Sequence, residues 1–184
     1  MYSGGFGSGK SWALCLKALA LAMQFPGIRI LIGRARNPML RMTTMRDFEE
    51  LCPPSWIVKH QKVEQRYHLF NGSEIIFRQL HNHLELRGLT IGAVGIDEWT
   101  EVPEQSTSTL RGRLRQPGMP GCMFGVTNPG GRAHYLHRDF VDATERRRQG
   151  REWFSASSLE NTDTPQEYRD SLLRSYAGRD LQRF

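Results

Sequence analysis

The sequence is poor in cysteine and in long apolar stretches, and both shortages exclude whole classes of protein. Its 184 residues include three cysteines, widely spaced and without a CxxC pair. Such usage is typical of a reducing compartment and argues against a disulfide framework or a zinc cluster. The longest apolar stretch, residues 12–25, is interrupted by Lys17 and Gln24, so we expect no transmembrane helix. The first residues also lack the basic and apolar regions of a secretory signal.

Lysine is scarce as well, although the chain is basic. It has four lysines against 21 arginines, a formal net charge of +6 and an isoelectric point near 9.6. Arginine binds phosphate through two parallel hydrogen bonds, so this bias favours a polyanionic partner. A basic surface that serves only solubility, or a GC-rich genome, explains the same numbers, and composition alone leaves these explanations open.

Composition and the order of segments predict the fold class. With 39% hydrophobic and 24% charged residues, the chain should be globular, and its length predicts a single domain over residues 1–184. We expect helices at 10–24, 39–51, 103–116, 133–148 and 165–176, and strands at 28–32, 67–70, 74–77, 90–96, 122–126 and 153–156. This alternation predicts an α/β fold, a mostly parallel sheet flanked by helices. Asn71-Gly72 predicts a β-hairpin, either inserted or at an antiparallel edge.

Residues 4–11 match the phosphate-binding pattern G-x-x-x-x-G-K-[ST] in full. They are Gly4, Gly5, Phe6, Gly7, Ser8, Gly9, Lys10 and Ser11. The glycines let backbone N–H groups turn inward toward phosphate, and the predicted helix that follows adds its positive N-terminal end. Lys10 should reach the β- and γ-phosphates, and Ser11 should offer its hydroxyl to Mg²⁺. The motif therefore predicts a P-loop NTPase with ATP and Mg²⁺ as cofactors.

A second constellation is the apolar segment 94–96 followed by Asp97 and Glu98. A carboxylate at the end of a buried strand beside the phosphate loop can hold Mg²⁺ through water, and its neighbour can polarise the attacking water. An acidic pair after a strand is often only a solvated loop start. The phosphate loop favours the catalytic interpretation, with Asp97 at the metal and Glu98 as general base.

A third segment ends the strand predicted at 122–126. Thr127 and Asn128 follow that strand directly. A hydroxyl or an amide at this place could sense the γ-phosphate and report its hydrolysis. An ordinary turn before a proline is the alternative explanation.

Together these segments resemble the ATPase domain of the phage terminase large subunit, the motor that packages DNA into viral proheads. Their order and approximate spacing match the family over nearly the whole chain. The resemblance implies a RecA/ASCE-like P-loop fold. It assigns Lys10 and Ser11 to the Walker A pair, Asp97 to the Mg²⁺ carboxylate, Glu98 to the catalytic glutamate, and Thr127 with Asn128 to the coupling motif.

The resemblance also gives a role to Arg87. Some family members supply, from the matching position, an arginine finger that acts in the next subunit and neutralises charge on the transferring phosphoryl group. Many terminases also carry an arginine inside the phosphate loop, where this chain has Phe6. A cis arginine from the loop is therefore unavailable, which makes Arg87 more important. A structural Arg-Gly turn remains the alternative for this residue.

The family further implies partners and a location. We expect double-stranded DNA held through backbone contacts, the portal protein, the small terminase subunit, and a homo-oligomeric ring in the intact motor. The site of action would be the cytoplasm of an infected bacterial host, with no membrane partner. Only three residues precede the loop, and the chain stops at Phe184, about where the family continues into its nuclease domain. We therefore expect most of the first strand, the adenine-contacting segment and the C-terminal nuclease domain to be missing.

Two other functions compete with the packaging motor. One is a helicase-like or repair ATPase with the same two motifs, although unwinding of a duplex calls for a second RecA-like domain that 184 residues cannot supply. The other is a non-catalytic, truncated fragment that binds nucleotide and DNA poorly. Nucleotide binding by the chain separates the second alternative from both enzymes.

Overall fold

The computed structural model describes residues 1–5, 7–128, 131–157 and 165–175. The chain divides into two compact units. The larger unit is Ser11–Gly125, and the smaller combines Met1–Lys10 with Val126–Phe184. The prediction of one domain over residues 1–184 stays a prediction.

The described strands form an eight-stranded, mostly parallel sheet. They are β1 (Tyr2–Gly4), β2 (Arg29–Arg34), β3 (Ile57–Gln61), β4 (Arg66–Leu69), β5 (Glu74–Gln79), β6 (Ala93–Ile96), β7 (Cys122–Thr127) and β8 (Phe154–Ala156). In the larger unit the strand order is β3-β4-β5-β2-β6-β7. In the smaller unit, the end of β7 pairs with β1, and β1 pairs with β8. The pairs β3–β4 and β4–β5 are antiparallel, and the others are parallel.

Six α-helices accompany the described strands. They are α1 (Lys10–Gln24), α2 (Asn37–Leu40), α3 (Arg46–Leu51), α4 (Glu104–Arg111), α5 (Ala143–Arg148) and α6 (Gln166–Ser175). Among the described residues, no helix is both long and apolar enough to cross a membrane. The predicted α/β class with a hairpin is thus confirmed, and helix α1 has the predicted bounds.

The core of the larger unit lies around β2, the strand with the most apolar sequence. Ile30, Leu31 and Ile32 are fully buried, as expected for a strand paired on both sides, here with β5 and β6. Helix α1 contributes Leu14 and Ala18 to this core, one turn apart on one face. The apolar strand and the apolar helical stripe, both visible in the sequence, thus build the same core.

The hairpin lies at an antiparallel edge, which was one of the two predicted alternatives. Strands β4 and β5 pair around Asn71-Gly72, where Gly72 has a φ of 79°. The sequence analysis missed the outermost strand, β3, which pairs with β4. Its residues are half-buried or exposed, so it shows no continuous apolar pattern that would reveal it.

Two predicted helices are interrupted. Between α2 and α3, the segment Arg41–Met45 is a π-helical turn, which inserts an extra residue into the helical repeat. The helix predicted at 133–148 breaks at Asp142, whose backbone is extended and whose side chain accepts hydrogen bonds from the N–H groups of Thr144 and Glu145. A new helix, α5, begins after this cap.

Helix α4 is shorter than predicted, because the residues after it form backbone hydrogen bonds with another segment of the chain. The helix ends at Arg111, and the backbone of Arg113 and Arg115 then forms hydrogen bonds with Ile91. These bonds satisfy backbone groups that a longer helix would have used internally.

The first strand is short, and the expectation that most of it is missing stays a prediction. Strand β1 has three residues, and they pair with β7 on one side and β8 on the other. Three residues suffice here because both edges of the strand are hydrogen-bonded to parallel neighbours.

Candidate nucleotide site

The phosphate-binding motif begins where β1 ends. The carbonyl of Gly5 accepts a hydrogen bond from the Ser8 hydroxyl at 2.8 Å, and the Tyr2 hydroxyl donates to the carbonyl of Ser8 at 2.9 Å. Gly7 and Gly9 have φ values of 72° and 74°, a left-handed conformation that favours glycine. The described loop residues are therefore hydrogen-bonded to one another, and the backbone favours glycine at positions 7 and 9.

A close approach explains the glycine at position 4. A Cβ atom there would lie 2.5 Å from Oγ of Ser8 and 3.0 Å from the carbonyl oxygen of Ala156. Any side chain would push the loop away from β8. Phe6, the remaining loop residue of the motif, lies outside the described residues.

Lys10 begins helix α1 and is buried, with 7% of its surface exposed. Its ammonium group donates a hydrogen bond of 2.6 Å to the carbonyl of Gly5. The side chain thus curls back over the loop it follows. The motif predicts that this ammonium group reaches the β- and γ-phosphates.

Ser11 and Asp97 meet within the larger unit, although 86 positions separate them. The Ser11 hydroxyl lies 3.4 Å from Oδ1 of Asp97 and 3.5 Å from Oδ2. Asp97 directly follows β6 and is 1% exposed. A hydroxyl and a carboxylate at this separation are oxygen ligands of the kind Mg²⁺ takes, together with substrate phosphates. The residues present therefore fit Mg²⁺.

Two residues that the sequence analysis missed also surround Asp97. The Thr44 hydroxyl donates a hydrogen bond of 2.6 Å to Oδ2, and Nη1 of Arg34 lies 3.8 Å from the same oxygen. Arg34 ends β2, next to β6 in the sheet, so a polar residue at the end of a predicted parallel strand was the available signal. Nothing in the sequence indicates Thr44, because its position depends on the π-helical turn.

Cys15 lies on α1, and its Sγ donates a hydrogen bond to the carbonyl of Thr44 at 3.7 Å. Burial, and to a smaller extent the carboxylates of Asp47 and Asp97, raises the pKa of the Cys15 thiol. The thiol therefore stays neutral at physiological pH and adds no charge beside Asp97.

Glu98 has an unusual backbone conformation. Its φ of 47° and ψ of 54° are left-handed, and its N–H donates to Oδ1 of Asp97 at 3.0 Å. A left-handed conformation costs a residue with a side chain about 1–2 kcal/mol, and such strain concentrates at functional sites. Asp97 is buried and Glu98 is half-buried, so the two adjacent carboxylates can serve different purposes.

The turn after Glu98 is held by Trp99. The indole Nε1 donates to the Thr107 hydroxyl at 3.0 Å, which ties the turn to helix α4. Both side chains are buried. A Cβ atom on Gly125 of β7 would lie 2.5 Å from the Trp99 ring, so the ring packs directly on the strand.

Thr127 and Asn128 lie at the end of β7, as predicted. Thr127 is buried, and it pairs with Ser3 of β1, two residues before Gly5. Asn128 follows and is half-buried. The end of β7 is therefore next to the strand that leads into the phosphate loop.

Arg87 belongs to the larger unit and follows a short 3₁₀ helix (His83–Leu86). Its side chain is exposed, and within the described part of the chain its guanidinium forms no ion pair. Its carbonyl accepts a hydrogen bond of 2.6 Å from Nη1 of Arg113. The backbone at Arg87 is thus anchored while the side chain faces solvent.

Comparison with known proteins gives a consistent family. The profile of the phage terminase large subunit family matches residues 1–168. The PBSX phage terminase large subunit of Bacillus subtilis (strain 168) is 28% identical over 151 residues, which cover 79% of this chain and 34% of that protein. The chain therefore spans about a third of the length of this relative.

Solved structures share the fold. The large terminase from a thermophilic bacteriophage matches with a TM-score of 0.82 at 16% identity, over 100% of this chain and 46% of that one. A structure of the same protein in complex with ADP matches with a TM-score of 0.81 at 16% identity, over 99% and 46% of the two chains. The ATPase domain of the Thermus phage P74-26 large terminase matches with a TM-score of 0.66 at 18% identity, over 100% and 85%.

The structural matches confirm the predicted P-loop fold, and at these identities they carry the fold alone. The family rests on the sequence profile, which extends over nearly the whole chain and includes the phosphate loop, the Asp97-Glu98 turn and the end of β7. The chain thus belongs to the phage terminase large subunit family.

Proposed function

We propose that this chain is the ATP-hydrolysing motor domain of a terminase large subunit that drives double-stranded DNA into proheads. The observation that carries the proposal is the pairing of a complete phosphate-binding motif with a buried carboxylate, Asp97, 3.4 Å from the motif's Ser11 hydroxyl. The ADP and ATP-γ-S complexes of the thermophilic bacteriophage's large terminase support ATP as the ligand.

Binding of the nucleotide would use the backbone of residues 4–11. The N–H groups of this loop and the N-terminal end of α1 would stabilise the negative phosphates. Lys10 exchanges its bond to the Gly5 carbonyl for the β- and γ-phosphate oxygens. Ser11 and Asp97 would hold Mg²⁺, which when bound neutralises charge on the phosphates.

Hydrolysis would then depend on Glu98. A water molecule attacks the γ-phosphorus in line with the bond to the bridging oxygen, which breaks and leaves ADP. The carboxylate of Glu98 orients this water and accepts its proton. Burial makes Asp97 a fixed ligand, whereas Glu98 is half-buried and can reach a water molecule. These different environments support different roles for the two adjacent carboxylates.

Release of phosphate would be sensed by Thr127 and Asn128. Because Thr127 pairs with Ser3, a change at the loop can pass along β1 to the end of β7. Motion of this segment would shift a DNA-gripping surface, which contacts the sugar–phosphate backbone of DNA without reading its sequence. The excess of arginine over lysine supports such backbone contacts.

The partners proposed for the intact motor follow from the family. They are double-stranded DNA, the portal protein, the small terminase subunit and further copies of the large subunit in a ring. Arg87 would act in the site of the neighbouring copy, and its exposure supports that role. The motor would act in the cytoplasm of the infected bacterial host.

ATP turnover by the full-length protein tests the proposal. Lys10→Ala should weaken nucleotide binding, since a charge on the phosphates is lost. Glu98→Gln should keep binding and lose turnover by a factor of about 10² or more, because the water is no longer polarised. Equal turnover by wild type and Glu98→Gln would contradict the catalytic role of Glu98. Unchanged nucleotide binding by Lys10→Ala would contradict the role of the loop as the phosphate site.

A further inference from the structure

The contacts of Asp97 with Thr44 and with Arg34 have no role in the proposed mechanism. Oδ1 of its carboxylate accepts the N–H of Glu98, whereas Oδ2 accepts the Thr44 hydroxyl at 2.6 Å and lies 3.8 Å from Nη1 of Arg34. Thr44 is fully buried, and the Arg34 side chain is 12% exposed. The cluster is therefore shielded from water, where hydrogen bonds and charges act strongly.

Thr44 reaches Asp97 because of the π-helical turn Arg41–Met45. A threonine in a helix commonly returns its hydroxyl to the carbonyl four residues earlier, and Thr43 does this, donating to Met39 at 2.8 Å. The Thr44 hydroxyl instead donates its hydrogen bond to the carboxylate of Asp97. The extra residue in the turn thus brings two consecutive threonines into the cluster.

Arg34 is held in place by the first of these threonines. Its Nη1 donates to Oγ1 of Thr43 at 3.0 Å, so the guanidinium is fixed beside Asp97 rather than extended into solvent. A buried carboxylate without a compensating charge is strongly destabilising. Arg34 supplies that charge from the end of β2.

We propose that Thr44 and Arg34 form a clamp on Oδ2 of Asp97. Thr44 is a positioning residue that fixes the orientation of the carboxylate toward Ser11. Arg34 compensates the carboxylate's charge in the absence of a divalent cation and competes with that cation when it binds. The competition rests on the proposed function, because it requires Mg²⁺ at Asp97; the charge compensation does not.

Substitution of the two clamp residues should change the affinity for Mg²⁺ in opposite directions. Loss of the Thr44 hydroxyl frees the carboxylate to rotate and weakens the metal site. Loss of the Arg34 charge removes a competing cation and strengthens it. A purely structural role for both residues would weaken the site in both variants, so the sign of the Arg34 effect separates the two explanations.

The binding experiment uses the 184-residue chain and a fluorescent ADP analogue, titrated with Mg²⁺ and in EDTA. In wild type, Mg²⁺ should increase the affinity for the analogue. In Thr44→Val this gain in affinity should be about tenfold smaller, the range expected for a partner of a metal ligand. Thr44→Ser should restore it. Arg34→Met should increase that gain by about threefold or more, whereas Arg34→Lys should not. Met42→Ala, an exposed residue of the same turn, is the matched control.

Three outcomes overturn the clamp in this experiment. One is an unchanged Mg²⁺ dependence in Thr44→Val. The second is an unchanged or smaller gain from Mg²⁺ in Arg34→Met. The third is weaker binding by Arg34→Met in EDTA as well as in Mg²⁺, which would mean that Arg34 contacts the nucleotide. If the wild type binds no nucleotide under either condition, the proposed function of this chain fails.

Urea unfolding tests the clamp without nucleotide. Arg34→Met should raise the unfolding equilibrium constant by about 10- to 100-fold, the range for a broken interaction with a buried charge. Asp97→Asn in the same chain should recover most of that loss, because no uncompensated charge remains. Strictly additive effects of the two substitutions would contradict the clamp, whether or not nucleotide binds.

Discussion

At the scale of single residues, the backbone of Glu98 would connect stability with the catalytic role proposed for its side chain. Among the described residues, it is one of two non-glycine residues with a positive φ; the other is Gln65. The conformation aims the N–H of Glu98 at Asp97, so it organises the carboxylate as well as Glu98 itself. We therefore expect stability and function to conflict at this position.

Replacement of Glu98 by glycine tests that conflict. Glu98→Gly should raise the free energy of unfolding by about 0.5–1 kcal/mol, because glycine adopts a left-handed conformation without strain. Glu98→Gln, the control, keeps the strain and should leave stability nearly unchanged. Urea unfolding of the 184-residue chain measures both. A destabilised Glu98→Gly variant would show that the turn depends on the glutamate side chain.

The sequence predicts the residues of the motifs but not the residues that support them. The phosphate-binding pattern identifies Lys10 and Ser11, and the strand ending in two acidic residues identifies Asp97. Thr44 carries no such signal, because a π-helical turn that no residue pattern announces brings it to the carboxylate. Arg34 was detectable only once β2 was known to lie next to β6.

At the scale of elements, strand β7 packs against the turn that follows Asp97. Gly125 leaves room for the Trp99 ring, and a Cβ atom there would also lie 2.7 Å from the carbonyl oxygen of Ile96. Backbone and a buried indole, itself bonded to Thr107, cannot move aside without cost. The glycine thus sets the distance between β7 and the turn.

Gly125→Ala should lower the free energy of unfolding by about 1–3 kcal/mol, as expected for overpacking in a well-filled core. Gly88→Ala is the matched control, because nothing lies within 4 Å of a Cβ atom at that position. Urea unfolding of both variants measures the difference. Equal stability of the two variants would mean that the Trp99 contact adapts freely.

Helix α5 depends on Asp142, which begins it. The N–H groups of Glu145 and Thr144 donate to its side chain and hold the pKa of that carboxyl below its usual value. Because the pKa is lower in the folded chain, the stabilisation is present above the unfolded pKa of about 3.9 and is lost as the pH falls through the folded value. Asp142 should therefore stop stabilising the start of α5 only when acid protonates its carboxylate.

Asp142→Ala should increase amide hydrogen exchange in α5 at neutral pH, since the first N–H groups lose their acceptor. Asp142→Asn keeps an acceptor that does not titrate, so its exchange, corrected for intrinsic rates, should stay constant between pH 7 and about pH 3. The wild type should lose protection over the acid part of that range. Identical profiles for wild type and Asp142→Asn would contradict the cap.

The elements themselves were predictable where the apolar pattern was strong. Helix α1 and strands β2, β6 and β7 follow continuous apolar runs, and the hairpin follows Asn71-Gly72. Strand β3 was not predictable, because its stability comes from pairing with β4 rather than from its own burial. The break at Asp142 was missed although its sequence signal is present: an N-cap Asp with Glu145 three residues later is a helix-start pattern.

At the scale of the whole molecule, the trans role proposed for Arg87 would make catalysis a property of the assembly. Its exposed side chain and its anchored carbonyl suit a group that acts outside its own subunit. An arginine finger is worth a factor of about 10³ to 10⁵ in rate. The isolated 184-residue chain should therefore hydrolyse ATP barely or not at all, whatever its affinity.

Mixed assemblies test whether Arg87 acts in trans. In full-length protein, Arg87→Ala should abolish turnover and leave nucleotide binding nearly intact. A mixture with Glu98→Gln subunits should recover part of the activity, because some junctions then combine an intact finger with an intact base. No recovery in rings shown to contain both variants would favour a structural role for Arg87.

The most direct test of the account is nucleotide binding by the 184-residue chain itself. Calorimetric titration with ATPγS in Mg²⁺ should show saturable binding at one site per chain, and Lys10→Ala should weaken it by about tenfold or more, since a charge-assisted bond to phosphate is lost. Lys17→Ala, which removes a charge from the same helix outside the motif, should bind like wild type. Absence of binding by the folded wild type, or equal weakening in both variants, would contradict a phosphate site at residues 4–11.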